Sequence, residues 1–501
     1  ETMILQKAGQ SIVYQLREDV FHHIESLSID QINSIPIGKL VSRVTSDTNA
    51  INDLYTNILI NLLKNILSLF GIFAMMLALN YQLALYMLIF VPVVGGLSYA
   101  YRALSKKAYR RVRHSITAMN AFLNENLSGM KITQIFHQEK RKENEFIQVN
   151  EEVVKARSKQ NIIFAIFRPI ISFLYFGAIA TLIYVSIYRL ELGTTETGVQ
   201  VIWSFYECVG RFFGPIQTLA DQVNGLQQAF AASERLFLLL DLKPSYEDDK
   251  DAIEMPPIHG DIQFDHVWFA YEEENWILRD VSFTIKAGET VAFVGATGAG
   301  KTTILSLLTR NYDVQKGTIY IHGIDIKKVK IQSLRKQIGQ MLQDVFLFSG
   351  TIRSNISLRD EDIPNDKIEK AASFVGANQF IEKLPLKYDE PVLEKGSNFS
   401  IGQRQLLSFA RTMVHEPKML ILDEATANID TETELLIQQS LEKMMSMGTM
   451  LIVAHRLSTI QHADKIIVLQ NGKIIEEGTH QALLKEKGYY YNLYRLQFEN
   501  E

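Results

Sequence analysis

Three stretches of the chain are apolar over the length of a bilayer, and they limit what it can fold into. Residues 57–80 carry Lys64 as their only charge, and residues 82–101 and 169–188 carry none. A helix needs about 20 apolar residues to cross the hydrocarbon, so each is long enough. Three such stretches are too many for a soluble core. Residues 197–220 form a fourth candidate span, apolar but holding Glu207 and Arg211. The chain is 47% hydrophobic yet 21% charged, and the two figures fit together only because the apolar residues are segregated.

Loop charge sets the orientation. Arg102, Lys106, Lys107, Arg110, Arg111 and Arg113 follow the second span with no acid before Glu125. That side is cytoplasmic. Residues 102–158 read as a long polar helical pair projecting beyond the bilayer. Its turn is expected near Gly129 to Glu143, through Gln134-Ile135-Phe136-His137-Gln138-Glu139-Lys140, with the elbow near 136–143. Residues 5–56 read as charged helix, broken at Ile35-Pro36-Ile37-Gly38, with a second elbow near 30–38. An elbow far from the membrane suits docking; the bland alternative is a solvated hairpin. Lys64 and Arg168 lie near span ends and are expected to snorkel. Glu207 and Arg211 are four apart on one helix, so they can pair with each other or line a substrate path. Pro215, after Gly214, would loosen that helix. The chain opens at Glu1 inside a charged helical stretch, and helices ahead of it are expected to be missing.

Composition excludes several classes. A net charge of −5 gives no sign of nucleic-acid binding. The single Cys208 rules out an internal disulfide and a cysteine-based zinc site. Residues 241–260 gain proline and acid (Pro244, Asp248, Asp249, Pro256, Pro257) and read as a linker, so the domains are expected at 1–240 and 261–501.

The second half is organised around Gly295-Ala296-Thr297-Gly298-Ala299-Gly300-Lys301-Thr302-Thr303, which fits the phosphate-loop pattern G-x-x-x-x-G-K-[ST]. It follows the strand-like run Thr290-Val291-Ala292-Phe293-Val294 and opens the helix-like run Thr303-Ile304-Leu305-Ser306-Leu307-Leu308. Glycines let backbone N–H groups curl round a phosphate, and the helix start adds unpaired donors. Lys301 reaches the β- and γ-phosphates, and Thr302 ligates Mg²⁺. Met419-Leu420-Ile421-Leu422-Asp423-Glu424 reads as a buried strand ending in two carboxylates. Asp423 can hold Mg²⁺ through water, and Glu424 can polarise the attacking water. Gln343 lies between these motifs, and His455 follows the apolar run Leu451-Ile452-Val453. Tyr271 could stack on adenine, although a strand tyrosine is more often core.

The order Tyr271, 295–303, Gln343, Phe399-Ser400-Ile401-Gly402-Gln403, 419–424, Asn428-Ile429-Asp430, His455 resembles an ATP-binding cassette (ABC) exporter half-transporter over essentially the whole chain. The resemblance implies an all-α transmembrane domain followed by an α/β P-loop ATPase domain. The protein would sit in the cell membrane with the ATPase cytoplasmic. It further implies ATP and Mg²⁺, Glu424 as catalytic base, His455 as γ-phosphate switch, and Gln343 as metal contact and γ-phosphate sensor. Asp430 would couple two sites, and Ser400, Ile401, Gly402 and Gln403 would touch ATP held by a second subunit. The elbows would be coupling helices. Two departures matter. Four spans are found where the family has six. The signature carries Ile401 where the family has glycine, which puts a β-branched side chain where backbone should meet a γ-phosphate. The expectation is one subunit of a heterodimeric exporter of amphipathic or drug-like molecules, with a homodimeric lipid flippase or peptide exporter as the alternative.

Overall fold

The computed structural model describes residues 2–192, 195–272, 274–423, 431–453 and 460–498. They form two units, Glu1–Ser26 with Pro36–Lys243, and Leu27–Ile35 with Pro244–Glu501.

The first 240 residues are helical: α1 (Thr2–Ser26), α2 (Ile29–Ser34), α3 (Ile37–Leu79), α4 (Tyr81–Ser128), α5 (Met130–Ile135), α6 (Glu139–Arg189) and α7 (Glu196–Leu240). Among the described residues, α3, α4 and α6 are long and apolar enough to cross a membrane. The fourth expected span lies inside α7, which does not join them; Gln200, Ser204, Glu207 and Arg211 interrupt its apolar run. Asn80 makes the corner between α3 and α4. Its N–H donates to the Met76 carbonyl (3.0 Å), and its side chain accepts from the N–H groups of Gln82 and Leu83. One residue thus ends a helix and caps the next.

The core of this unit joins Met76, Leu83, Met87, Val94, Ile171, Leu182, Phe205 and Val209. A π-helical turn at Arg43–Asp47 brings Asp47 inward. There it meets Arg43 at 2.6 Å and Arg235 of α7, while Arg17 of α1 donates to Asn49 at 2.8 Å. Charged helix ends are thereby tied into one network.

The second elbow is formed by residues 130–138. The short helix is α5, the chain turns at Phe136, His137 (φ 53) and Gln138, and residues 139–143 already belong to α6. The first elbow is α2, with Pro36 in extended backbone (ψ 131) ahead of α3. By its contacts this segment groups with residues 244–501 rather than with the helices on either side of it. Ser28 accepts from the Ser245 N–H, and Ile29 donates to Tyr246, so the segment belongs to the second unit. Residues 244–260 are irregular but seated. Met255 and Ile258 are buried, and their N–H groups donate to Ser333 and Gln337.

In the second unit β1 (Ile262–Ala270), β2 (Trp276–Ile285), β4 (Lys316–Ile321) and β5 (Ile324–Asp325) form an antiparallel sheet in the order β2-β1-β4-β5. β3 (Thr290–Val294), β6 (Ile338–Met341), β9 (Met419–Asp423), β10 (Thr449–Val453), β11 (Lys465–Gln470) and β12 (Lys473–Gly478) form a larger sheet, ordered β12-β11-β3-β10-β9-β6. A small pair, β7 (Gly350–Thr351) and β8 (Pro391–Val392), lies apart. All of the larger sheet is parallel except β12. Its central strands are buried on both faces, as continuous apolar runs require. Side-chain alternation sorts them into two cores. Ala292, Leu420 and Ile452 pack with helical residues such as Leu406 and Phe409, while Phe293, Ile421 and Leu451 pack with Ile304, Leu308 and the antiparallel sheet.

Candidate active site

Parallel strands bring their carboxyl ends to one edge, where open α/β sheets bind ligands. β3 runs into the 295–300 loop, β9 ends at Asp423, and β6 ends two residues before Gln343. Register fixes their spacing: Val453 of β10 pairs with Phe293 on one side and Asp423 on the other, and Met341 pairs with Leu422. Gln343 is exposed at this edge. The sequence-predicted Glu424, Asp430 and His455 lie outside the described residues.

The loop is shaped by two glycines. Gly298 has φ 82 and a Cβ there would meet nothing within 4 Å, so its outer face is open. Gly300 has φ 103, and a Cβ would fall 2.6 Å from Leu278. The Ala299 N–H donates to the Ala296 carbonyl at 3.1 Å, but the N–H groups of Gly298 and Gly300 find no acceptor among the described residues. Helix α8 (Lys301–Leu308) adds unpaired donors at its start. The open cradle and its free donors fit a phosphate chain.

Lys301 is buried, and its ammonium donates to the carbonyls of Gly295 (2.7 Å) and Ala296 (3.0 Å). Among the described residues no carboxylate lies within ion-pair distance. Burial holds its pKa below the usual lysine range, and nearby Asp423 opposes that shift. Thr302 is exposed, whereas Thr303 is buried with its hydroxyl 3.1 Å from that of Tyr271. Tyr271 meets Phe269 and Tyr312 edge-on at 4.9 and 5.1 Å and remains half exposed, which leaves ring surface for a planar group.

The predicted signature opens helix α9 (Ile401–Val414). Ser400 caps it and accepts from the Gln403 N–H, while the Gln403 side chain accepts from the Ser400 N–H: a complete capping box. Phe399 and Gly402 are buried, and Ile401 is 42% exposed. The isoleucine therefore leaves the helix start intact and presents its side chain at the surface.

Comparison with known proteins settles the family. Residues 1–207 match the ABC transporter transmembrane region and residues 278–427 match the ABC transporter family. The chain belongs to the ABC transporter family. This exporter half-transporter is 39% identical over 499 residues to the Bacillus subtilis "Probable multidrug resistance ABC transporter ATP-binding/permease protein YheH", covering 99% of this chain and 73% of that one. It is 35% identical to an "ATP-dependent lipid A-core flippase" of Syntrophus aciditrophicus, covering all of this chain and 83% of the relative. A solved structure of a bacterial Atm1-family ABC exporter with ATP bound matches with a TM-score of 0.79 at 27% identity, over 99% of this chain and 86% of that one. The ABC exporter is thus a membrane protein with a nucleotide-binding, cytoplasmic ATPase domain, and exporters of this family work as dimers.

Arg411 escaped the sequence reading. Arg411 on α9 donates to the carbonyls of Asn355 and Phe346, both at 2.9 Å, and so fixes the stretch after Gln343 from the signature helix. An arginine set among Leu407, Phe409, Ala410 and Met413 was the visible signal. In the first unit Glu207 and Arg211 stand 3.8 Å apart and both are exposed. With Ser68, Met75 and Trp203 they line a cavity of about 450 Å³.

Proposed function

We propose that this chain is the catalytically competent half of a heterodimeric exporter of small amphipathic molecules. In this reading ATP lies with its phosphates in the 295–300 cradle and its base against Tyr271. Lys301 leaves its two carbonyls for the β- and γ-phosphates. Glu424 orients and polarises the attacking water, His455 contacts the γ-phosphate, and Asp430 couples the two sites. Thr302, Gln343 and, through water, Asp423 are the groups to hold Mg²⁺. Among the described residues no group of three or more histidine, cysteine or acidic side chains is placed to hold a metal ion by itself, and a bound triphosphate would supply further oxygen ligands. When bound, that ion neutralises charge building on the transferred phosphoryl group.

The observation that carries the heterodimer is Ile401. It projects from a well-capped helix start where close backbone approach to a γ-phosphate calls for glycine. A homodimer would pair two sound phosphate loops with two impaired signatures; a partner with an intact signature removes the conflict. The test is ATPase activity of the purified chain alone and with a co-expressed second half-transporter. Weak turnover alone, rising at least about tenfold with the partner or with Ile401→Gly, is expected. Robust turnover by the unmodified homodimer would defeat the proposal.

A second reading, a homodimeric lipid flippase, draws on similarity over all of this chain, and 83% of the relative, to a protein named as a lipid A-core flippase. Stimulation of ATPase activity by phospholipid but not by amphipathic cations would favour it.

A further inference from the structure

Helix α2 is held to the second unit at two places of unequal strength. Its first turn is anchored. Ser28 Oγ accepts from the Ser245 N–H (3.1 Å), the Ile29 N–H donates to the Tyr246 hydroxyl (3.4 Å), and that hydroxyl donates to the Asn311 carbonyl (2.8 Å). Asn311 belongs to the turn after α8, whose Thr309 and Arg310 carbonyls accept from Arg335 at 3.0 and 2.7 Å. The far end of α2 is held lightly. Exposed Asn33 donates from Nδ2 to the Tyr312 hydroxyl at 3.3 Å. Between the two, Asp30 Oδ1 is enclosed without a hydrogen-bond partner among the described residues.

Tyr312 is the group that joins this light contact to the site. Its ring stands edge-on to Tyr271 at 5.1 Å and to Phe269 at 5.5 Å, and its hydroxyl faces Asn33. Tyr271 is in turn bonded to Thr303 on α8. We propose that Tyr312 is a positioning residue that reports occupancy of the base platform at Tyr271 to helix α2. The inference rests on Tyr271 receiving the nucleotide base. A base lying on Tyr271 restricts that ring, which fixes the edge of Tyr312 and steadies its hydroxyl for Asn33. The phosphates meet α8, which leads through Asn311 and Tyr246 only to the anchored end of α2, and that end is already held and gains no further protection. The base, not the triphosphate, therefore governs the lightly held end.

Amide hydrogen–deuterium exchange on the full chain separates the two routes. In the wild type, MgATP is expected to slow exchange both in 295–303 and in 29–34, the latter at least about threefold. Magnesium tripolyphosphate at saturation, which lacks a base, is expected to slow 295–303 alone. Tyr312→Phe keeps the ring and loses the hydroxyl, and Asn33→Ala removes the donor. Both are expected to keep ATP affinity within about twofold and the response at 295–303, and to lose the response at 29–34. An unchanged 29–34 in wild type with ATP, an equal response to tripolyphosphate, or a wild-type response in Tyr312→Phe would overturn the relay. Absence of any ATP response at 295–303 would instead remove the nucleotide reading itself, and the relay with it.

Discussion

The hydroxyls of Tyr271 and Thr303 lie 3.1 Å apart, and this bond separates two adjacent threonines by role. Thr303 is buried and engaged with the aromatic platform, while Thr302 is exposed at the start of α8. Thr302→Ala should lower ATP hydrolysis by about 10²-fold or more, because it removes a group proposed to hold the Mg²⁺ that offsets the developing charge. Thr303→Val should cost a few-fold, mainly in apparent ATP affinity. Steady-state kinetics on both variants checks the split; equal losses would erase the distinction.

Lys301 sets a pH dependence. Burial lowers its pKa from the ordinary lysine value, with Asp423 acting against the shift. A bound triphosphate favours the charged form and pushes that pKa back up. ATP affinity should therefore be full at neutral pH and fall as pH rises through the lowered pKa of the free protein, below about 10.5. Lys301→Ala should bind ATP weakly and lack this alkaline fall. The measurement is ATP affinity across pH for both proteins, with Lys301→Arg expected to flatten the fall.

Glu424→Gln should abolish hydrolysis while sparing ATP binding. The amide keeps the shape of the carboxylate and loses the base. Single-turnover hydrolysis and equilibrium binding, measured side by side, decide it; turnover near wild type removes Glu424 from its role.

Asp47 should be costly to truncate. Its side chain is 5% exposed and serves Arg43 and Arg235 together. Asp47→Ala leaves both guanidinium groups without their shared acceptor. Breaking a buried pair costs about 3–5 kcal/mol, and the partial exposure of Arg235 brings the expected loss to about 2–3 kcal/mol. A lowered melting temperature of the detergent-solubilised protein reads it. Arg17→Ala, at the exposed edge of the network, should shift melting much less.

The phosphate loop was legible in sequence because its chemistry is local. Strand, glycine turn, lysine and helix follow one another within a dozen residues, and each carries its own conformational reason. The apolar spans were legible for the same kind of reason, since bilayer thickness converts directly into residue number. The signature's departure was also legible, as an isoleucine at 401 where the family's pattern has glycine.

What sequence alone determined is a membrane-helical half followed by a P-loop half, with the phosphate-loop motif at 295–303. Tertiary structure decided which parts act together. Asn33 meets Tyr312 across 279 residues, Ile29 meets Tyr246 across 217, and Asp47 meets Arg235 across 188. No periodicity or spacing encodes such pairs, because they depend on how separate elements pack once each has formed. That packing groups α2 with residues 244–501. It also sets Tyr312, an unremarked residue in a turn, against both Asn33 of α2 and Tyr271.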